Sequence, residues 1–336
     1  FYPYPQVLAF SENLFGSAPI YWLFRLFSEP TLAFQLWMIA VCLLCFFSFV
    51  FLMRRYGVGH LLSVLGAFLF AFSMPRIYQL GHLQLLPQFF TPLAFLIGWD
   101  FFKQPTRKRL ALFLLLTYLQ ILAGIYLGWF LLFSLPIFFG IAYILDPQAI
   151  SRTLAYWRRD WKGIILIVSL WGVSMLLTLL PYIKTNSTLG SRTYAEIDVM
   201  LPRIQSWFSV DSNSLWAPLL HGRPDYGIAQ DLPMPWEHHL FAGGTLIVLT
   251  LLTIYSILYL KNIFTFERAL LIKVCLLVFI VLFCLSLRLP SGFSLWRIIY
   301  ELVPGASAIR AVTRIWTIAY FYLLIAVILS FDSSIK

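Results

Sequence analysis

The chain has 336 residues, of which 61% are hydrophobic and 11% charged, and a formal net charge of +10. Soluble domains carry roughly 25% charged residues, so this composition excludes an ordinary soluble enzyme. The basic excess lies in short segments between apolar runs, which points to orientation in a bilayer and away from nucleic-acid binding.

The chain opens at Phe1 with Phe-Tyr-Pro-Tyr-Pro-Gln. This is an aromatic, proline-rich loop (1–30), without the charged and apolar regions of a signal peptide. A further piece with at least one more span is expected before it. Within the loop, Ser11 is expected to cap a short helix with Glu12 in its first turn. Nine apolar runs follow, at 31–53, 58–73, 84–102, 109–123, 125–145, 163–183, 240–260, 269–287 and 312–330. A hydrocarbon core about 30 Å thick takes about 20 residues of helix. The apolar stretch 109–145 is divided at Gly124, because one helix of that length would overshoot the bilayer. The fold class is therefore all-α, a polytopic transmembrane bundle forming one domain over 1–336. Six spans occupy 31–183 and three occupy 240–330, with long loops at 184–239 and 288–311. Those loops lack sustained period-two patterns, so short interfacial helices are expected there and not a β-domain. Cys42, Cys45, Cys275 and Cys284 all fall in apolar runs and read as small hydrophobes.

Alternate loops differ in charge. One set, from Arg54 to Lys336, holds 14 basic residues and five acids; the other holds 10 and nine. The positive-inside rule puts the first set in the cytoplasm and the long loops outside. Mid-span charges, the usual mark of ion paths and proton relays, are nearly absent. Chemistry is therefore expected at the outer interface, where acids, histidines, arginines and aromatics collect.

Arg310 and Arg314 are the most pointed pair there. They lie four apart at the outer start of the last run, on one helix face, and guanidinium forks suit phosphate oxygens. Their bland alternative is snorkelling to lipid headgroups. Glu237-His238-His239 precedes the seventh run and offers a base or a metal ligand, or else a helix-entry motif. It lacks the His-Glu-x-x-His spacing of a zinc site, and no metal ligand set is assigned. His82 and Gln84, at the outer entry of the third run, are candidates to face a cleft shared with Glu12.

Several segments follow one another in a familiar order: Tyr-Pro-Tyr-Pro-Gln-Val-Leu-Ala-Phe-Ser-Glu-Asn-Leu-Phe-Gly (2–16), Gly-His-Leu-Gln-Leu-Leu (81–86), Thr-Pro-Leu-Ala (91–94), Gly-Ile-Tyr-Leu-Gly (124–128), Glu237 with Leu-Phe-Ala-Gly-Gly (240–244), and Ile-Arg-Ala-Val-Thr-Arg (309–314). The order resembles a family of bacterial multi-spanning proteins that is itself similar to the GT-C fold glycosyltransferases. The resemblance implies an enzyme of the inner membrane that moves sugar, with inversion, from a polyprenyl-phosphate carrier to an acceptor at the extracytoplasmic face. It implies an acidic base in the first outer loop. Glu12 is the only acid in the matching motif, and the principal aspartate is expected in the segment before Phe1. Glu237 and His238 are the further catalytic candidates, and His82, Gln84, Arg310 and Arg314 the substrate-binding ones. Arginines or a divalent cation would stabilise the leaving phosphate. The competing functions are a transporter or flippase of a lipid-linked sugar, which uses the same outer cleft, and a membrane protein without catalysis.

Overall fold

The computed structural model describes residues 7–220 and 232–336. Tyr2, Tyr4, His221, Arg223, Asp225, Tyr226 and Asp231, all among the polar and aromatic residues of the expected outer loops, lie outside them. In chain order the helices are α1 (Ala18–Arg25), α2 (Pro30–Arg55), α3 (His60–Phe72), α4 (Met74–Ile77), α5 (Phe90–Lys103), α6 (Arg107–Ala123), α7 (Ile125–Leu145), α8 (Pro147–Leu189), α9 (Tyr194–Asp198), α10 (Ala217–Leu220), α11 (Gly244–Tyr259), α12 (Phe266–Ser286), α13 (Trp296–Leu302) and α14 (Trp316–Ser334). Single 3-10 turns join several of them. Among the described residues there is no strand, only one isolated antiparallel bridge between Arg288 and Ser294. The described part of the long loop after α8 accordingly holds only short helices and turns, as its pattern predicts.

All nine apolar runs are helical. Among the described residues seven segments are long and apolar enough to cross a membrane, by length and composition. The other two runs, α6 and α11, are shorter, at 17 and 16 residues. Helix starts follow local chemistry. Pro30 sits in the first turn of α2, and the Glu29 carboxylate accepts the backbone N–H of Leu32 at 2.9 Å. The hydroxyls of Thr106 and Thr265 cap α6 and α12 in the same way.

Three departures from the sequence reading concern where helices start. The expected cytoplasmic loop before the sixth run is helical: α8 runs 43 residues from Pro147, with non-helical backbone only at Asp160. That kink faces Arg107 at the start of α6, whose Nε donates to Asp160 at 3.0 Å. Next, Ser11 and Glu12 do not open a helix. They lie in the link between a 3-10 turn, Val7–Phe10, and α1. Finally, Glu237 does not cap the helix of the seventh apolar run, because Leu240–Gly243 intervene before α11 and its carboxylate is engaged elsewhere.

The segment leading into and through α14, Val312–Ser334, is the axis of the bundle, with 94% of its apolar window buried. Phe321 meets the rings of Phe49 on α2, Phe70 on α3 and Phe95 on α5. The Tyr322 hydroxyl lies 2.9 Å from that of Ser134 on α7. At one end Asp332 gathers the bundle: it accepts from Arg268 on α12, Lys336 and the Gly59 backbone before α3, at 2.7, 2.7 and 2.9 Å. The other end of the same axis begins at Arg314.

Candidate functional site

Ahead of α14 the chain forms a 3-10 turn, Val312–Ile315. Arg310 precedes this turn in non-helical chain, so the two arginines do not share the one helix face that their spacing predicts: Arg314 is held against the bundle and Arg310 stays at the surface. Arg314 is 7% exposed and Glu237 2%. Arg314 Nη2 donates to Glu237 Oε1 at 2.7 Å and Nε to Oε2 at 3.3 Å. The Thr313 hydroxyl approaches the same Oε2 at 3.5 Å. A buried charge needs such a partner to be tolerated, so Glu237 fixes the guanidinium from behind. Arg314 Nη1 has no protein partner among the described residues. The guanidinium also stands over the Tyr126 ring, 5.4 Å from its centroid.

In front of Arg314 is a cavity of about 370 Å³, whose wall includes Glu12, His82, Gln84, Tyr126, Tyr182, Arg192, Arg310 and Arg314. Five of the seven residues singled out from sequence therefore share one wall, drawn from three distant stretches of chain. Glu237 stands behind it, reached through Arg314 and through His82, whose Nε2 is 3.7 Å from Glu237 Oε1. His238 is elsewhere. It is fully buried, with Nδ1 2.8 Å from the Ser206 hydroxyl and Nε2 3.1 Å from the Val199 carbonyl. Both ring nitrogens serve the fold, and burial pulls its pKa down to about 4.

Glu12 arrives by an unusual route. α7 has no side-chain cap of its own, since Gly124 precedes it. The first N–H groups of a helix want acceptors, and Glu12 supplies both: its carboxylate takes the N–H of Ile125 and, at 3.0 Å, that of Tyr126. Gly16 makes this approach possible. Its N–H donates to Leu122 O at 2.8 Å, and a Cβ there would fall 2.6 Å from the Ala123 nitrogen. Burial raises the Glu12 pKa, against the opposing pull of the two backbone N–H groups and of Arg314.

His82 is 41% exposed and faces the cavity. Its pKa is lowered, first by burial, then by Arg314, with Glu237 opposing and Arg310 adding to the depression. These effects favour the neutral imidazole. Sequence reasoning overlooked Tyr126 and Tyr182 as site residues. The Tyr126 hydroxyl accepts the Arg310 backbone N–H at 3.0 Å, and the Tyr182 hydroxyl donates to Ser11 O at 3.2 Å. Tyr126 stood inside the Gly-Ile-Tyr-Leu-Gly motif, which was the one available signal. Tyr182 lies in a long apolar run with nothing local to mark it.

Among the described residues no group of three or more His, Cys, Asp or Glu side chains is placed to hold a metal ion. The cationic charge of the cavity comes from Arg310, Arg314 and Arg192; Arg314 is paired with Glu237 at 2.7 Å and Arg192 with Glu196 at 3.3 Å, which leaves Arg310 without an ion-pair partner among the described residues. An anionic group with a polar neighbour suits this wall. Comparison with family models, with curated proteins and with solved structures finds no match.

Proposed function

We propose that this chain is a membrane glycosyltransferase of the GT-C kind, which moves a sugar from a polyprenyl-phosphate carrier to an acceptor hydroxyl at the extracytoplasmic face. The observation that carries the reading is the cavity at the head of α14. Two arginines four residues apart share its wall with Glu12, His82 and Gln84. Arg314 is pre-set by Glu237, which lowers the ordering cost of gripping a phosphate. Arg310 has no side-chain partner among the described residues and is open to the second phosphate oxygen. The sugar then lies among hydrogen-bonding and aromatic groups. As the glycosidic bond to phosphate breaks, the arginines stabilise the charge that develops on the leaving oxygen.

Nine crossings, bringing the long loops to one side, belong to this proposal. Support comes from the path of the two short helices. α6 leaves the end marked by Arg107 and finishes beside Gly16, next to the cavity. α11 starts against Trp216 and ends near Ser330 and Ser334 of α14. At about 1.5 Å per residue they reach roughly 24–26 Å, close to the hydrocarbon thickness. The basic end is the cytoplasmic one by the charge bias.

The test is binding of farnesyl phosphate, a short polyprenyl phosphate, to the chain in lipid nanodiscs. Arg310→Ala should weaken binding about 10- to 100-fold, the worth of one charge-assisted hydrogen bond, and Arg310→Lys should restore only part. Farnesol binding as tightly as farnesyl phosphate, or Arg310→Ala leaving affinity unchanged, would refute the phosphate site.

A further inference from the structure

A transfer of this kind needs a group to take the proton of the attacking hydroxyl. We infer that His82, through Nδ1, is that group, and that Glu12 and Glu237 are the residues that build and aim the site. The inference rests on the transferase reading above.

Free valence singles out His82. Both Glu12 oxygens accept backbone N–H groups of α7, and both Glu237 oxygens accept from Arg314. Drawing a proton onto either carboxylate would weaken a bond that holds the wall together. His238 uses both nitrogens within the fold. His82 alone among these has a ring nitrogen without a protein partner among the described residues, and it faces the cavity. Its Nε2 lies 3.7 Å from Glu237 Oε1. At that distance the contact is one of charge and not a hydrogen bond; it lies on the Nε2 side, which leaves Nδ1 for the incoming proton, and the carboxylate charge stabilises the imidazolium once formed. Arg314 and Arg310 act the other way and keep the resting ring neutral. The charges that face His82 are thus Glu237 from the turn before α11, Arg310 and Arg314 from the turn before α14, and across the cavity Glu12 and Arg192.

The step balances. The acceptor oxygen forms its bond to the anomeric carbon as its proton passes to His82 Nδ1. The bond from that carbon to the phosphate oxygen breaks, and its electron pair leaves with the lipid phosphate beside Arg310 and Arg314. The imidazolium then releases the proton to water.

The intact chain in nanodiscs is given polyprenyl phosphates carrying glucose, mannose or N-acetylglucosamine, with water as acceptor, and release of free sugar is followed. His82→Ala should cut release by about 10²–10⁴-fold while farnesyl phosphate still binds. Its pH–rate profile should lose the acid limb that the wild type shows below the ordinary imidazole range, and added imidazole should restore part of the rate. His82→Gln, which keeps a polar side chain in the loop, should be as slow and should not respond in pH. A His82→Gln protein with wild-type rates and an unchanged acid limb overturns the assignment of His82 alone. So does a loss of rate matched by an equal loss of farnesyl phosphate binding. A wild type that binds farnesyl phosphate but cleaves none of the donors overturns the transferase reading, and the role of His82 falls with it.

Discussion

His238 illustrates how a polar residue next to a site residue in sequence can belong wholly to the fold. Its imidazole is neutral and bonded at both nitrogens, with a pKa of about 4 against an ordinary 6.5. The unfolded chain takes up a proton below 6.5 and the folded one resists it down to about 4. Stability should therefore fall as pH drops through that window, by roughly 3 kcal/mol in total. Thermal unfolding of the wild type between pH 7 and pH 4, set against His238→Gln, measures this. The variant should be less stable at pH 7 and show a flatter acid slope; an equal slope in both would show that other groups govern acid sensitivity. Arg314 carries a different lesson from Arg310. Arg314→Ala would leave Glu237 buried and unpaired, a loss of about 3–5 kcal/mol. It should register as unfolding before it registers as lost binding, whereas Arg310→Ala should register in binding alone. Sequence spacing and loop order brought Arg310, Arg314, His82, Gln84 and Glu12 to one end of the molecule. The pairing of Arg314 with Glu237 was not legible, because 77 residues separate the partners and neither pattern nor composition encodes which acid a buried arginine meets.

At the scale of an element, the start of α7 is the joint on which the site turns. A glycine break divides one long apolar run, and a carboxylate from the first loop closes the new helix end. That makes Glu12 a cap supplied across 113 residues. Glu12→Ala should cost about 1–3 kcal/mol through the two orphaned N–H groups, while Glu12→Gln, which keeps one acceptor oxygen, should cost less. Unfolding midpoints of the two variants decide the matter: if Ala and Gln are equally harmless, the cap contributes nothing. Gly16→Ala presses a Cβ into backbone at 2.6 Å, which cannot yield as a side chain tip would. It should cost about 1–3 kcal/mol and loosen the first loop, seen as faster proteolysis near Ser11. The division at Gly124 was readable from run length against bilayer thickness. The cap was not, because the Ser11-Glu12 pair fits a local helix start equally well, and only three-dimensional proximity chooses between the two uses of the carboxylate. The long α8 escaped for a related reason. Residues 147–162 are polar, and a hydropathy window reads polar helix and polar loop alike.

At the scale of the whole molecule, one buried helix joins two unlike ends. α14 is enclosed by its neighbours, whereas α8 is peripheral, with only 17% of its apolar window buried. At the Asp332 end, basic side chains are drawn in to neutralise one carboxylate and tie α3, α12 and α14 together. At the Arg314 end, a single carboxylate leaves guanidinium capacity open towards a cavity. The proposed transfer requires the two ends to face different compartments, and α8 offers the ruler. Ser151 and Ser187 are both exposed and both on α8, near opposite termini. The 36 residues between them span about 54 Å of helix, well beyond the roughly 30 Å of a hydrocarbon core. The native cysteines lie on spans, three of them buried or half-buried and Cys284 exposed along α12, so an impermeant reagent should find little background. With one added cysteine at a time, Ser187→Cys should react from outside intact cells and Ser151→Cys only after the membrane is opened. Reaction of both from outside would put the Arg107 end and the cavity end in one compartment. It would remove the reason for seeking an extracytoplasmic acceptor, and leave the cavity at the head of α14 as an anion site on a protein that does not span as proposed.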